Sequence, residues 1–181
     1  MKFLTTVIPG PIIVEPAVFG DERGFFLESW NAAEFRAAGL DLTFVQDNHS
    51  RSAKGVLRGL HFQNPGPQGK LVRVTAGAVW DVAVDVRHSS SYFGQWMSVE
   101  LSAANKKMVW VPPGFAHGFL TLDDDTDVLY KCTGRYDPAN EHALLWNDPM
   151  LGITWPLDGI APRLSTKDAC GKPLAEIAVF A

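Results

Sequence analysis

Ten short runs of β-formers follow one another from Ile12 to Thr133, each cut off by Gly, Pro, Asn or Asp, and this rhythm constrains the chain more than any other feature. The runs are Ile12–Pro16, Phe25–Trp30, Thr43–Ser50, Val56–Gln63, Lys70–Ala76, Ala78–Arg87, Tyr92–Leu101, Lys107–Val111, Gly118–Leu122 and Asp127–Thr133. Strands at such close spacing imply a sandwich or a barrel. One helix interrupts them near the start: Asn31 can cap it, Glu34 stands at the capping-box position, helix formers follow, and Gly39 supplies the stop. It is short and expected on the outside. With 181 residues and no internal repeat or linker, residues 1–181 read as a single domain.

Alternation is sharpest from Ala78 to Arg87, where Trp80, Val82, Val84 and Val86 share one face and Asp81, Ala83 and Asp85 the other. The Asp face fits a polar cavity lined from inside, and equally a solvated outer face. The Asp residues themselves are candidates for supporting a site, with no chemistry assigned. Phe25, Phe26, Phe115 and Phe119 read as core, with one or two free to stack on a base. In the C-terminal third, Trp146–Pro149, Ile153–Pro156 and Ser165–Asp168 look like turns and caps that lay loops and a short helix over the strands. Such a loop can bring Lys167 or Asp168 back to a pocket mouth.

Chemistry concentrates in Gly55–Gln63 and Gln68–Arg73, which set Arg58, His61 and Lys70 on two apolar strands joined by a Pro/Gly turn. A base and two cations suit proton abstraction beside a carbonyl on an anionic substrate: His takes the proton, Lys stabilises the enolate oxygen, and Arg pairs with phosphate. Two buried cations are costly without an anion, so a pocket explains them better than a core. Strict pleating would put Arg58 and His61 on opposite faces, so the reading requires a bulge, for which Gly59 is placed. Taken alone, Tyr130 is as readily a barrel tyrosine tied to a backbone carbonyl, Lys70 and Arg73 are edge-strand charges, and Arg23 is an ordinary turn charge.

A net charge of −4, a pI near 5.7 and scattered Lys and Arg provide no basic stripe for nucleic acid. Cys132 and Cys170 stand apart, without the spacing of a disulfide framework or a thiol zinc site. The start, Met1–Ile8, resembles a signal only briefly before Pro9-Gly10-Pro11 and Glu15 interrupt it, and no stretch is long enough to span a bilayer. The expected location is the cytoplasm.

Phe19–Ser29, Phe44–Ser50, Gly55–Gln63, Gln68–Arg73, Pro113–Phe119, Leu129–Lys131 and Trp146–Pro149 together resemble the dTDP-4-dehydrorhamnose 3,5-epimerase family nearly end to end. That resemblance implies an all-β, cupin-type jelly roll. It also implies a homodimer with N-terminal strands exchanged or added across the interface, and activity without metal or organic cofactor. The implied reaction inverts C3 and C5 of dTDP-4-dehydro-6-deoxy-D-glucose next to the C4 ketone, on the way to dTDP-L-rhamnose. By the same resemblance His61 is the base with Asp168 as its partner, Tyr130 the acid on the opposite ring face, and Lys70 the enolate partner. Arg23, Glu28, Gln46, Asn48, Arg58, His117, Glu141 and Lys167 fall where the family holds nucleotide, diphosphate and sugar.

Phe62 after His61 departs from the family's usual Tyr, and Asn64–Pro67 and Gly134–Ala139 look individual, which leaves sugar and base detail open. Relatives that invert only C3 or only C5 remain an alternative. A metal-dependent cupin is a rival on Pro112–His117, but a facial site needs two His and a carboxylate converging, and His61 is followed by Phe62 and Gln63. A non-catalytic sugar-nucleotide binding module would have no use for His61, Lys70, Tyr130 and Asp168 together.

Overall fold

The computed structural model describes residues 1–180. Two antiparallel sheets stack face to face. One contains, in spatial order, β1 (Lys2–Thr5), β2 (Ile12–Glu15), β10 (Met108–Val111), β7 (Lys70–Ala76), β12 (Thr126–Cys132) and β5 (Gln46–Ser52). The other runs β13 (Glu141–Ala143), β6 (Leu57–Gln63), β11 (Phe115–Thr121), β8 (Ala78–Asp85) and β9 (Trp96–Ser102). A separate hairpin pairs β3 (Val18–Asp21) with β4 (Gly24–Leu27). This is the two-sheet sandwich expected from the strand rhythm, and the jelly roll that the family resemblance implies.

Period-two alternation sends Val72, Val74, Ala83, Val109, Val111, Phe115, Phe119 and Val128 into one cluster between the sheets. Burying each large member contributes roughly 1.5–3 kcal/mol. On β8 the opposite face, Val82 and Val84, is buried too, beneath Leu144, Leu151, Trp155, Leu174 and Ile177 of the C-terminal third. The solvated-face alternative for Asp81 and Asp85 therefore fails, because both are fully buried and point into the sandwich. The C-terminal loops that cover β8 leave neither of its faces to water.

Helix α1 (Ala32–Ala37) lies against the outer face of the six-stranded sheet, with Phe35 packed on Val14, Leu71, Met108 and Trp110. Asn31 Oδ1 accepts from the Ala33 and Glu34 N–H groups at 3.1 and 3.3 Å, as a cap should. The reciprocal half of the capping box is absent, since Glu34 instead binds the Met1 amino group at 2.8 Å. Gly39, at φ +85°, ends the helix.

Three strands escaped the sequence reading. β1, β3 and β13 are four, four and three residues long, too brief for alternation to register, and β1 lies in the signal-like start. The expected strand Phe25–Trp30 shrinks to Gly24–Leu27, and its Phe25 and Phe26 are not core: they are 60% and 65% exposed on the hairpin. Phe115 and Phe119 are buried as expected. None of the helices among the described residues is long and apolar enough to cross a membrane.

Candidate active site

A pocket of about 380 Å³ opens between the sheets at the end where β5, β6, β7 and β12 converge. Inward alternation on β5 supplies Gln46, Asn48 and Ser50, and the same face of β12 supplies Tyr130 directly across from Asn48. Lys70 opens β7 opposite Cys132. From the facing sheet come Arg58 and His61 of β6 and His117 of β11.

Arg58 and His61 reach the same cavity because the ladder shifts register between them. Phe119 pairs with Arg58 and His117 with His61, so β6 carries one residue more than β11 over this interval. Gly59 takes φ +114° there, and a Cβ on it would sit 2.6 Å from Gly118 Cα. The bulge expected at Gly59 is present, and it lets Arg58 and His61 line the same pocket.

The short helix α2 (Thr166–Ala169), capped by Ser165, brings Asp168 beneath His61. His61 Nε2 lies 2.6 Å from Asp168 Oδ1. Burial would raise the Asp168 carboxyl, but hydrogen bonds from His61 and Ser165, the His61 charge and the Gly59 N–H outweigh it and hold it at about 2. An ionised Asp168 can only accept a hydrogen bond, so a proton on Nε2 is turned toward it and Nδ1 is left with the free lone pair. Glu141 Oε1 of β13 lies 3.9 Å from that Nδ1.

Lys70 is partly buried in the pocket wall, and burial pushes its ammonium below the ordinary value, against the opposing pull of Cys132, Glu141 and Asp81. Burial likewise pushes the Tyr130 phenol up, so it stays protonated at neutral pH. An imidazole, a protonated phenol and a lysine thus share one cavity. His117 Nε2 contacts Asp81 at 2.9 Å, both side chains buried. Arg58 Nε donates to Ser52 Oγ at 3.1 Å, and Gln46 Nε2 donates to Asn48 Oδ1 at 3.0 Å. Lys167 Nζ binds both Glu141 oxygens at 2.9 Å.

Ten of the twelve expected site residues line this pocket: His61, Lys70, Tyr130, Asp168, Gln46, Asn48, Arg58, His117, Glu141 and Lys167. Arg23 and Glu28 do not line it. Arg23 sits at the tip of the β3–β4 hairpin, 85% exposed and paired with Asp21, while Glu28 reaches only Asn31. Tyr136 and Gln68, to which no role was assigned, also line the pocket. Tyr136 lies in the irregular stretch between β12 and β13, where no periodicity marks it. Its position is set by its N–H on Gln46 Oε1 at 2.9 Å and by its hydroxyl on Glu141 Oε2 at 2.8 Å. Among the described residues, no three His, Cys, Asp or Glu side chains converge as a metal site requires.

The sequence profile of the dTDP-4-dehydrorhamnose 3,5-epimerase family matches residues 5–176. The dTDP-4-dehydrorhamnose 3,5-epimerase of Pseudomonas aeruginosa is 54% identical over 181 residues, spanning 99% of each chain. That of Salmonella typhimurium is 54% identical over 182 residues, spanning 99% of this chain and 98% of its own. The crystal structure of dTDP-6-deoxy-D-glucose-3,5-epimerase from Legionella pneumophila, in complex with dTDP-4-keto-L-rhamnose, superposes with a TM-score of 0.95 at 51% identity. That match covers 98% of this chain and 94% of the other.

Proposed function

The chain belongs to the dTDP-4-dehydrorhamnose 3,5-epimerase family, and from that premise we propose that its pocket inverts C3 and C5 of dTDP-4-dehydro-6-deoxy-D-glucose by paired proton transfer. The observation that carries this reading is the oriented His61, held 2.6 Å from Asp168, in the same cavity as Tyr130 and Lys70.

A hydrogen on the carbon beside a ketone is acidic enough to remove only if the resulting enolate is stabilised. His61 Nδ1 takes the proton, the C–H electrons flow toward the C4 oxygen, and the Lys70 ammonium meets the developing negative charge. Asp168 keeps the imidazole in the working tautomer and stabilises the cation it becomes, as the third member does in hydrolase triads. Tyr130 returns a proton to the other face of the carbon, which inverts it. The groups differ in acidity and come from opposing sheets, which inversion requires and simple exchange does not. Arg58, with Gln46, Asn48, His117, Glu141 and Lys167 around the cavity, serves to hold the diphosphate, sugar and base. No residue in this scheme calls for a metal or organic cofactor.

Arg23 and Glu28 join the scheme through a homodimer. The β3–β4 hairpin exposes Val18, Phe19, Phe25 and Phe26 on one small ribbon, an apolar patch of the sort that marks a protein contact. In this arrangement it buries against a second copy and carries Arg23 and Glu28 to that copy's pocket. The single-domain organisation over residues 1–181 and a cytosolic setting, which suits two unpaired cysteines, complete the reading.

Incubation with dTDP-4-dehydro-6-deoxy-D-glucose in deuterated water tests the function. Deuterium at both C3 and C5 of a product with L-rhamno configuration is the expected result. Deuterium at one carbon alone identifies a single-site epimerase, and none at either carbon ends the epimerase reading.

A further inference from the structure

Two inversions with one base and one acid leave a proton imbalance. After the first, His61 is an imidazolium protonated at Nδ1 and Tyr130 is a tyrosinate. Each is in the wrong form for the second carbon, so a proton must leave His61 and another must reach Tyr130 while the substrate remains in the pocket.

Resting on the function proposed above, we infer that Glu141 is the outlet that resets His61 between the two inversions. Its Oε1 lies 3.9 Å from His61 Nδ1, the nitrogen turned away from Asp168. That gap is one that a single water bridges. Its Oε2 accepts from the Tyr136 hydroxyl at 2.8 Å, and Lys167 Nζ grips both oxygens at 2.9 Å. His61 and Glu141 are both mostly covered, their side chains 19% and 14% exposed, whereas the two groups that hold Glu141, Lys167 and Tyr136, are 48% and 49% exposed. The carboxylate therefore connects an enclosed base to the wet mouth of the pocket.

The transfer balances. The Nδ1–H bond breaks and its proton forms an O–H bond on Glu141 Oε1. That O–H then breaks to water at the mouth beside Tyr136, while a water proton restores the Tyr130 hydroxyl. One proton leaves and one enters. Burial works to raise the Glu141 carboxyl, but Lys167, Tyr136 and the His61 charge override it and keep it below the ordinary range. A carboxylic acid formed there releases its proton to water readily.

A residue that only holds substrate affects both inversions alike, whereas an outlet acts after the first. The discriminating readout is the ratio of singly to doubly inverted product at low conversion in deuterated water, for wild type and Glu141→Gln. The expected result is a rise of at least about tenfold in that ratio, in line with the loss of one proton-transfer group. Added formate, a small carboxylate, should bring it back toward the wild-type value. An unchanged ratio in Glu141→Gln, or a joint loss of both inversions that formate does not relieve, overturns the outlet and leaves the function standing. Wild type that incorporates no deuterium overturns the function itself.

Discussion

Arg58 and His61 enter one cavity from one strand although they lie three positions apart, because β6 gains a residue on β11 at Gly59. The placement of both side chains depends on a backbone that only glycine fits. At φ +114°, an added Cβ would lie 2.6 Å from Gly118 Cα and 2.7 Å from His117 O. Gly59→Ala is expected to cost about 2 kcal/mol or more, combining backbone strain with a steric clash against main chain. Urea unfolding measures it; a loss under about 0.5 kcal/mol, the usual scatter for a neutral surface change, would show that the bulge does not need glycine.

His61→Ala should lower kcat by roughly 10²–10⁴-fold, the usual contribution of a proton-transfer group, with the fold intact by circular dichroism. Asp168→Asn should also lower kcat, because the amide can no longer hold the imidazole in the same tautomer. Steady-state kinetics on both variants check this. Wild-type kcat in His61→Ala would place the base elsewhere.

Asp168 also ties the site to stability at acid pH. Its carboxyl is depressed to about 2 in the folded chain, so its stabilising contribution is fully present above the ordinary carboxylate value and is lost as pH falls through about 2. The stability advantage of wild type over Asp168→Asn should therefore shrink, by an amount on the order of 2 kcal/mol, between about pH 5 and pH 2. Denaturant unfolding across that range reads the difference; an advantage that stays constant would mean Asp168 is not ionised against His61.

Lys70 gives a prediction for alkaline pH. Burial lowers its ammonium from 10.5, so its charge in the pocket disappears at a lower pH than an exposed lysine would allow. The alkaline fall in kcat should lie below pH 10.5 in wild type, and in Lys70→Arg, which stays charged, it should move upward even though the rate is lower. Identical alkaline limbs in the two proteins would remove Lys70 from the rate-determining charge.

The exposed hairpin makes a prediction about assembly. Light scattering should give twice the chain's 19.8 kDa, and Phe26→Asp should shift the protein toward monomer. Arg23→Ala should raise KM while leaving the unfolding midpoint unchanged, since its side chain is 85% exposed and paired with its near neighbour Asp21. A dimer unaffected by Phe26→Asp would mean the hairpin lies outside the interface.

Much of this site was legible in the sequence because inward alternation is a local signal. Arg58, His61 and Lys70 on two neighbouring strands and the bulge at Gly59 follow from strand spacing and from the one glycine placed to break the pleat, whereas Tyr130 and Asp168 entered the site through the family resemblance. Asp81 and Asp85 were ambiguous because alternation separates two faces without saying what covers each. The answer lay in Leu151, Trp155, Leu174 and Ile177, more than sixty positions downstream. Tyr136 was not legible as a pocket residue, because its position comes from hydrogen bonds to Gln46 and Glu141 and not from a repeating backbone. Phe25 and Phe26 misled, since in sequence an apolar residue left exposed on a hairpin reads the same as one in a core.

The central claim is that an imidazole and a phenol work on opposite faces of one ring, and Tyr130→Phe in deuterated water tests it most directly. With His61 and Lys70 intact, the variant should still exchange the hydrogens beside the ketone, returning deuterium to the face from which the proton left, while inversion falls by roughly 10²–10⁴-fold. Inversion of both carbons at the wild-type rate would contradict the account.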